Sequence, residues 1–172
     1  MIDRVFILLG LSLCLTKPCP AQASGAAFAS LAEQNQTAAT TDIAVVVNPV
    51  NPVDSISSIE LRKIFAGEKQ SWSPGLAVFV MVRAPQARER DVLLNQVLKM
   101  NEPEYKQYWV KKIQSGEVQR EPLAVQSNGM QLEAIRAEKG GIALISMADV
   151  REGVKILKVD GHLPGADGYV LK

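Results

Sequence analysis

Cysteine and histidine are scarce in this sequence, and their scarcity excludes several kinds of site. Both cysteines, Cys14 and Cys19, lie within the first 23 residues, in a segment with the features of a signal peptide. The mature chain would therefore have no thiol for a disulfide, a zinc site or a nucleophile. His162 is the only histidine, so no histidine pair can hold a metal. We expect no metal and no cofactor.

Long hydrophobic runs are also missing. The run from Val5 to Leu15 is preceded by Arg4 and followed by the small-x-small pattern Ala21-Gln22-Ala23. It is shorter than the roughly 20 helical residues that cross a bilayer. This pattern predicts a cleavable signal peptide over residues 1–23, export to the periplasm and no membrane insertion of the mature protein.

The mature chain has no excess of either charge. Asp3, Arg4 and Lys17 fall within the predicted signal peptide, which leaves 17 basic and 17 acidic residues. Binding to nucleic acid or to an anionic membrane surface generally requires a basic excess. We therefore expect neither as a partner.

The rest of the sequence divides into a leader and one domain. Residues 24–41 are small and polar and predict a flexible leader, whereas residues 42–172 alternate short apolar runs with helical periodicity. Strands are predicted at Ile43–Val47, Ala77–Val82, Ile142–Ile145 and Val154–Val159, and helices begin at Ser57, Asn101 and Asn128. The fold class expected is α/β, with a small, mainly parallel open sheet and flanking helices.

Polar residues at the ends of strands and the starts of helices form the candidate site. In an open α/β sheet, ligands bind beyond the carboxyl ends of the strands. Asn48 follows the first strand and Arg83 the second, while Ser57, Ser127 and Asn128 lie at helix starts. Hydroxyls, amides and one guanidinium suit a small inorganic oxyanion.

Simpler roles remain open for the same residues. Ser57 and Asn128 are also explained as helix caps, and Asn48 as a turn residue. Arg83 is equally explained as a strand-end cation that meets water or a surface carboxylate. The run Arg88 to Asp91 alternates in sign and predicts a solvated helical turn. Gly140-Gly141 follows a helix and predicts a C-cap, and no active-site motif is found, so we expect no enzyme.

Several segments carry a resemblance to a known family. They are IAVVVNPVNPVDSISSIELRKIFAGEKQSWSPG, a strand ending in Arg83, the helix YKQYWVKKIQSGE, and KGGIALI before VKILKVDG. Together they resemble the substrate-binding proteins of phosphate ABC transporters, over residues 43–161. The resemblance implies the type II periplasmic-binding-protein fold, in which two α/β lobes hold dehydrated phosphate in a cleft. This chain is short for two lobes, which implies a single-domain member.

The resemblance also implies a ligand and partners. The ligand would be a phosphate-like oxyanion, and the partner an ABC permease or an envelope signalling protein. The family's arginine carries over to Arg83, but its serine-glycine-threonine clamp is replaced by Ala87-Arg88-Glu89. Glu89 would place a carboxylate beside the anion, which would repel it unless Arg88 or Arg90 compensates the charge. The alternative is a degenerate member that acts as a non-catalytic accessory or sensory protein in the cell envelope.

Overall fold

The computed structural model describes residues 41–172. The predicted signal peptide, residues 1–23, and the predicted leader, residues 24–41, lie outside the described residues except for Thr41. No helix in the described part combines the length and the apolar character that a membrane span requires.

The described chain alternates short strands with helices, which confirms the predicted α/β class. The strands are β1 (Ile43–Val47), β2 (Ser55–Ile56), β3 (Ser71–Ser73), β4 (Leu76–Ala77), β5 (Phe79–Arg83), β6 (Leu123–Val125), β7 (Gly141–Ser146), β8 (Lys155–Ile156) and β9 (Lys158–Val159). The α-helices are α1 (Ser58–Phe65), α2 (Arg88–Val92), α3 (Glu102–Gln114) and α4 (Asn128–Ala137). A π-helix (Leu93–Leu98) continues α2, and a 3-10 turn (Met147–Asp149) follows β7.

One sheet of five strands organises the fold, in the order β6-β5-β7-β1-β8. β5 is parallel to β6 and β7, whereas β1 is antiparallel to both β7 and β8. Four strands therefore run in one direction and β1 in the other, so the prediction of a mainly parallel sheet is confirmed. Two small pairs lie apart from it, β2 with β9 and β3 with β4.

Helices cover both faces of this sheet. Every residue of β1 is buried, as its continuous apolar run predicts. Val45 and Val47 belong to the apolar cluster that includes buried residues of α1, the π-helix and α3. Ala44 and Val46 face the opposite cluster, which includes Leu132 and Ile135 of α4. The domain is a three-layer sandwich built around β1 and β7.

Gly67 and the caps at Ser57 and Asn101 fix the ends of two helices. Ser57 caps α1 and accepts the Glu60 N–H at 3.1 Å. Asn101 caps α3 in a reciprocal capping box with Glu104. Gly67 follows α1 at φ +68°, where an added Cβ would lie 2.7 Å from the Trp109 ring. The predicted helix starts at Ser57 and Asn101 are confirmed.

Gly140 does not cap a helix, and that prediction is wrong. α4 ends at Ala137 with Glu138 as its C-cap, two residues earlier in the chain. A Cβ on Gly140 would lie 1.8 Å from the Ala77 carbonyl oxygen. Glycine is needed because two backbone segments touch here, and the Trp72 indole N–H donates to the Gly140 carbonyl at 2.9 Å.

The predicted strand Val154–Val159 is in fact two strands. β8 joins the edge of the five-stranded sheet, whereas β9 pairs with β2. Leu157 between them is fully buried, and its N–H donates to Val45 at 2.9 Å. The chain thus crosses from one sheet to the other at a buried apolar residue, which a continuous apolar pattern does not reveal.

Candidate functional site

The candidate site lies at the end of β5, where Arg83 is the last residue of the strand. Arg83 is paired with Val125 at the end of β6, and its Nη1 donates to the Val125 carbonyl at 3.3 Å. Its side chain is 15% exposed. The guanidinium is therefore held against the sheet edge, and only a small part of it reaches solvent.

Glu89 turns inward and reaches the same edge. Its Oε2 lies 3.6 Å from Arg83 Nε. Its Oε1 accepts the Ser146 backbone N–H at 3.3 Å and Asn128 Nδ2 at 2.6 Å. The prediction that Arg88 to Asp91 form a solvated turn is wrong, because Glu89 and Arg90 are both buried.

Asn128 joins the two acidic groups of the site. Its Nδ2 donates to Glu89 Oε1 at 2.6 Å and to Asp149 Oδ2 at 2.7 Å. The helix cap is Ser127, whose hydroxyl accepts the Met130 N–H at 3.2 Å. The interpretation of Asn128 as a cap is wrong, since it is the first helical residue and its amide faces the site.

Two buried atoms of the site have no hydrogen-bond partner within residues 41–172. They are Arg83 Nε, a donor, and Asn128 Oδ1, an acceptor. The amide orientation of Asn128 is well defined, because both of its neighbours are carboxylates and only its nitrogen can donate to them. The site therefore has one unused donor and one unused acceptor, both closed to solvent in the present packing.

The charges around the site are unbalanced. Glu89 and Asp149 bring two carboxylates, and Arg83 brings the guanidinium that pairs with Glu89. Arg88 is exposed, and it makes no ion pair with Glu89 among the described contacts. Arg90 pairs with Glu102, so neither Arg88 nor Arg90 compensates Glu89 among the described residues. At 3.6 Å the attraction between Arg83 and Glu89 is about 4–5 kcal/mol at an effective dielectric near 20, before desolvation is subtracted.

Asn48 lies away from this edge, which corrects its predicted place in the site. Val47 of β1 and Val80 of β5 both lie opposite Ile142. Because β1 runs opposite to β5, Asn48 and Arg83 extend from that level in opposite directions, roughly 13 Å apart along the strands. Asn48 Nδ2 instead donates to the Ile135 and Arg136 carbonyls of α4, at 2.8 and 3.1 Å.

Ser57 is likewise not brought to the site. It follows β2, outside the five-stranded sheet, and its hydroxyl caps α1. The hydrogen bonds described for residues 41–172 do not join Ser57 to Arg83. The structure places four of the predicted residues on adjacent segments, Arg83, Ser127, Asn128 and Arg88. It places Asn48 and Ser57 elsewhere.

The residues described here contain no group of three His, Cys, Asp or Glu side chains that could hold a metal ion. Two cavities, of about 320 and 420 Å³, lie elsewhere on the molecule, and Arg83 lines neither of them. The Arg83 edge is therefore a surface of convergent polar groups and does not belong to either of these hollows.

Two features of the site were missed from the sequence. Asp149 stands three residues after β7, whereas the prediction covers only residues at the strand ends. Glu89 was recognised as a neighbour of the anion, but its hydrogen bonds to Ser146 and Asn128 depend on tertiary packing. The sequence signal that points to Asp149 is an acidic residue in the loop after a parallel strand.

Comparison with known proteins agrees with the predicted resemblance. A family model described as a PBP superfamily domain matches residues 20–171. No curated protein matches the sequence.

Solved structures similar to this chain come from phosphate transport proteins. One, from Clostridium perfringens, is assigned as a phosphate ABC transporter substrate-binding protein and holds bound phosphate (19% identity, TM-score 0.58, 72% of this chain and 46% of that chain). An ABC-type phosphate transport receptor from Vibrio cholerae matches at 19% identity and TM-score 0.56, over 72% and 48% of the two chains. PstS from Borrelia burgdorferi matches at 20% identity and TM-score 0.56, over 72% of this chain and 49% of that chain. This chain spans about half the length of each of these structures.

Proposed function

The chain belongs to the PBP superfamily domain family, and from this premise we propose that it binds a phosphate-like oxyanion at the Arg83 edge of its sheet. The anion would be held by the Arg83 guanidinium, the Ser146 backbone N–H and the Asn128 side chain. In this proposal the protein is a solute-binding module and has no catalytic role.

The carrying observation is that two buried polar atoms at this edge make no hydrogen bond, although one of them, Arg83 Nε, lies 3.6 Å from Glu89 Oε2 in an ion pair. Arg83 Nε is a donor and Asn128 Oδ1 is an acceptor, and both are buried. Buried polar atoms without partners cost free energy, so a ligand that satisfies both is favoured. A protonated oxyanion such as monohydrogen phosphate has acceptor oxygens for the guanidinium and a hydroxyl for the amide oxygen. Sulfate has no hydroxyl and would leave Asn128 Oδ1 unsatisfied.

Cell location and assembly follow as parts of the same proposal. The signal-peptide pattern of residues 1–23 supports export to the periplasm, and similarity to transport proteins supports work with an ABC permease. This chain spans about half of those structures, so in this proposal the second wall of a closed cleft lies beyond the residues described here.

Isothermal titration calorimetry with phosphate and with sulfate tests this function. We expect saturable binding of phosphate, weaker binding of sulfate, and loss of both in Arg83→Ala. Arg120→Ala is the matched control, because its guanidinium lies beside the ring of Phe79 at the opposite end of β5, 5.6 Å from the ring centroid. The absence of heat from the wild-type protein at millimolar phosphate would overturn the proposal.

A second function is favoured by one observation. Glu89 lies 3.6 Å from Arg83, and Asp149 accepts a hydrogen bond from Asn128, so two carboxylates at this edge oppose binding of any external anion. This supports an accessory or sensory protein that acts through a partner in the cell envelope. Affinity capture from envelope extract distinguishes the two, since a partner retained by Arg83→Ala, in a protein that binds no phosphate, would favour this second function.

A further inference from the structure

We propose that Glu89 is a built-in occupant of the oxyanion site, so that an external anion binds only after it displaces this carboxylate. The inference rests on the proposed function and adds to it a competition between an internal and an external ligand. Its basis is the way in which groups from three separate segments converge on a single carboxylate.

The surroundings of Glu89 are those of a bound anion. The Ser146 N–H comes from the end of β7, the Asn128 amide from the start of α4 and the Arg83 guanidinium from the end of β5. Glu89 is 6% exposed, although it stands in a helical turn next to exposed Arg88 and Asp91. A carboxylate is buried to this extent when surrounding donors replace its hydration.

An external oxyanion needs the same donors. Its oxygens would take the Ser146 N–H and the guanidinium, and the Glu89 carboxylate would then lie within a few ångströms of a second negative charge. The two anions therefore exclude each other, and occupancy by Glu89 lowers the apparent affinity for the ligand.

The arginines next to Glu89 in sequence do not form ion pairs with it. The Arg90 guanidinium, next in the chain, binds both carboxylate oxygens of Glu102. Arg88 is exposed and forms no ion pair with Glu89 in the described contacts, while Asp149 on the far side of Asn128 is itself negative. Displaced from the site, Glu89 would move toward solvent on the Arg88 side.

Glu89→Ala and Glu89→Gln test the inference by phosphate calorimetry. Removing the carboxylate should tighten phosphate binding at least tenfold in Glu89→Ala, with a smaller gain in Glu89→Gln, which keeps the shape without the charge. Asp91→Ala is the matched control, because it removes an exposed charge from the same helix and should change the affinity less than twofold. Arg83→Ala combined with Glu89→Ala should abolish the gain.

Each outcome decides between the inference and the proposed function. If the wild-type protein binds phosphate and folded Glu89→Ala binds it no more tightly, the inference is overturned and the proposed function stands. Binding by Glu89→Ala alone supports the inference and overturns the function for the native chain. If neither the wild-type protein nor Glu89→Ala binds phosphate, both the inference and the proposed function are overturned. If circular dichroism shows that Glu89→Ala does not fold, Glu89→Gln decides: equal affinity to the wild type overturns the inference, and tighter binding supports it.

Discussion

The guanidinium of Arg90 binds both carboxylate oxygens of Glu102, at 3.1 and 2.9 Å, and lies 3.9 Å from the ring centroid of Tyr105. This arrangement joins α2 to the start of α3. It also keeps Arg90 turned away from Glu89, although the two residues are adjacent in sequence. Neighbouring side chains of one helical turn thus serve two separate purposes, one in packing and one at the site.

We predict that Arg90→Ala lowers the free energy of unfolding by about 2–3 kcal/mol, because it leaves Glu102 without its cation and removes the contact with Tyr105. Glu102 is partly exposed, so the loss is smaller than for a fully buried pair. Urea unfolding measures the difference. Arg88→Ala, on the same helix and exposed, should change stability by less than about 0.5 kcal/mol. Equal effects in the two variants would contradict the described pairing.

The same pair predicts a dependence on pH. The hydrogen bond from Arg90 holds the pKa of Glu102 below its ordinary value. A carboxyl group whose pKa is lower in the folded state stabilises the protein above its unfolded pKa and loses that contribution as pH falls through its folded pKa. Between about pH 5 and 3, the wild-type protein should therefore lose more stability than Glu102→Gln. Parallel curves for the two proteins would show that Arg90 does not affect the Glu102 carboxyl.

Gly140→Ala should destabilise the protein by about 3 kcal/mol or more, because its Cβ would collide with the Ala77 carbonyl and force two backbone segments apart. Gly129→Ala is the control, since a Cβ there would meet only Ser127 Oγ, at 3.8 Å. It lies in α4 and should stabilise the protein by up to about 1 kcal/mol. Thermal unfolding compares them, and an unchanged Tm for Gly140→Ala would contradict the close contact.

Asn48→Ala should reduce stability by about 1–3 kcal/mol while leaving phosphate affinity unchanged. Its amide holds two carbonyls near the end of α4, at the sheet end opposite Arg83. Denaturant unfolding and calorimetry on the same variant separate the two roles. Asn95→Ala, at an exposed position, serves as the control. A loss of phosphate binding in folded Asn48→Ala would restore Asn48 to the site.

Local patterns were enough to predict much of the fold. The apolar run of β1, the cap at Ser57 and the helix start at Asn101 each depend on residues near one another in sequence. The direction of β1 does not depend on nearby residues, because it is set by pairing with β7, about a hundred residues later in the chain. The prediction grouped Asn48 with Arg83 because each follows a strand, whereas the antiparallel direction of β1 puts Asn48 at the other end of the sheet.

The site was only partly predictable for the same physical reason. Arg83 and Asn128 were identified because each stands at the boundary of a helix or strand. The alternating charges of Arg88 to Asp91 carry no sign that Glu89 and Arg90 turn inward, because their partners Asn128, Ser146 and Glu102 come from other segments. Interactions between distant segments determine which of four consecutive charged residues are buried.

Phosphate titration followed by 15N NMR tests the central claim most directly, because the Ser146 backbone N–H is one of the donors assigned to the anion. The account predicts a saturable chemical-shift change at Ser146 and at the Arg83 Nε–H, little change at Asn48, and no saturable change at Ser146 in Arg83→Ala. Unchanged Ser146 and Arg83 resonances in the wild-type protein at millimolar phosphate would contradict it.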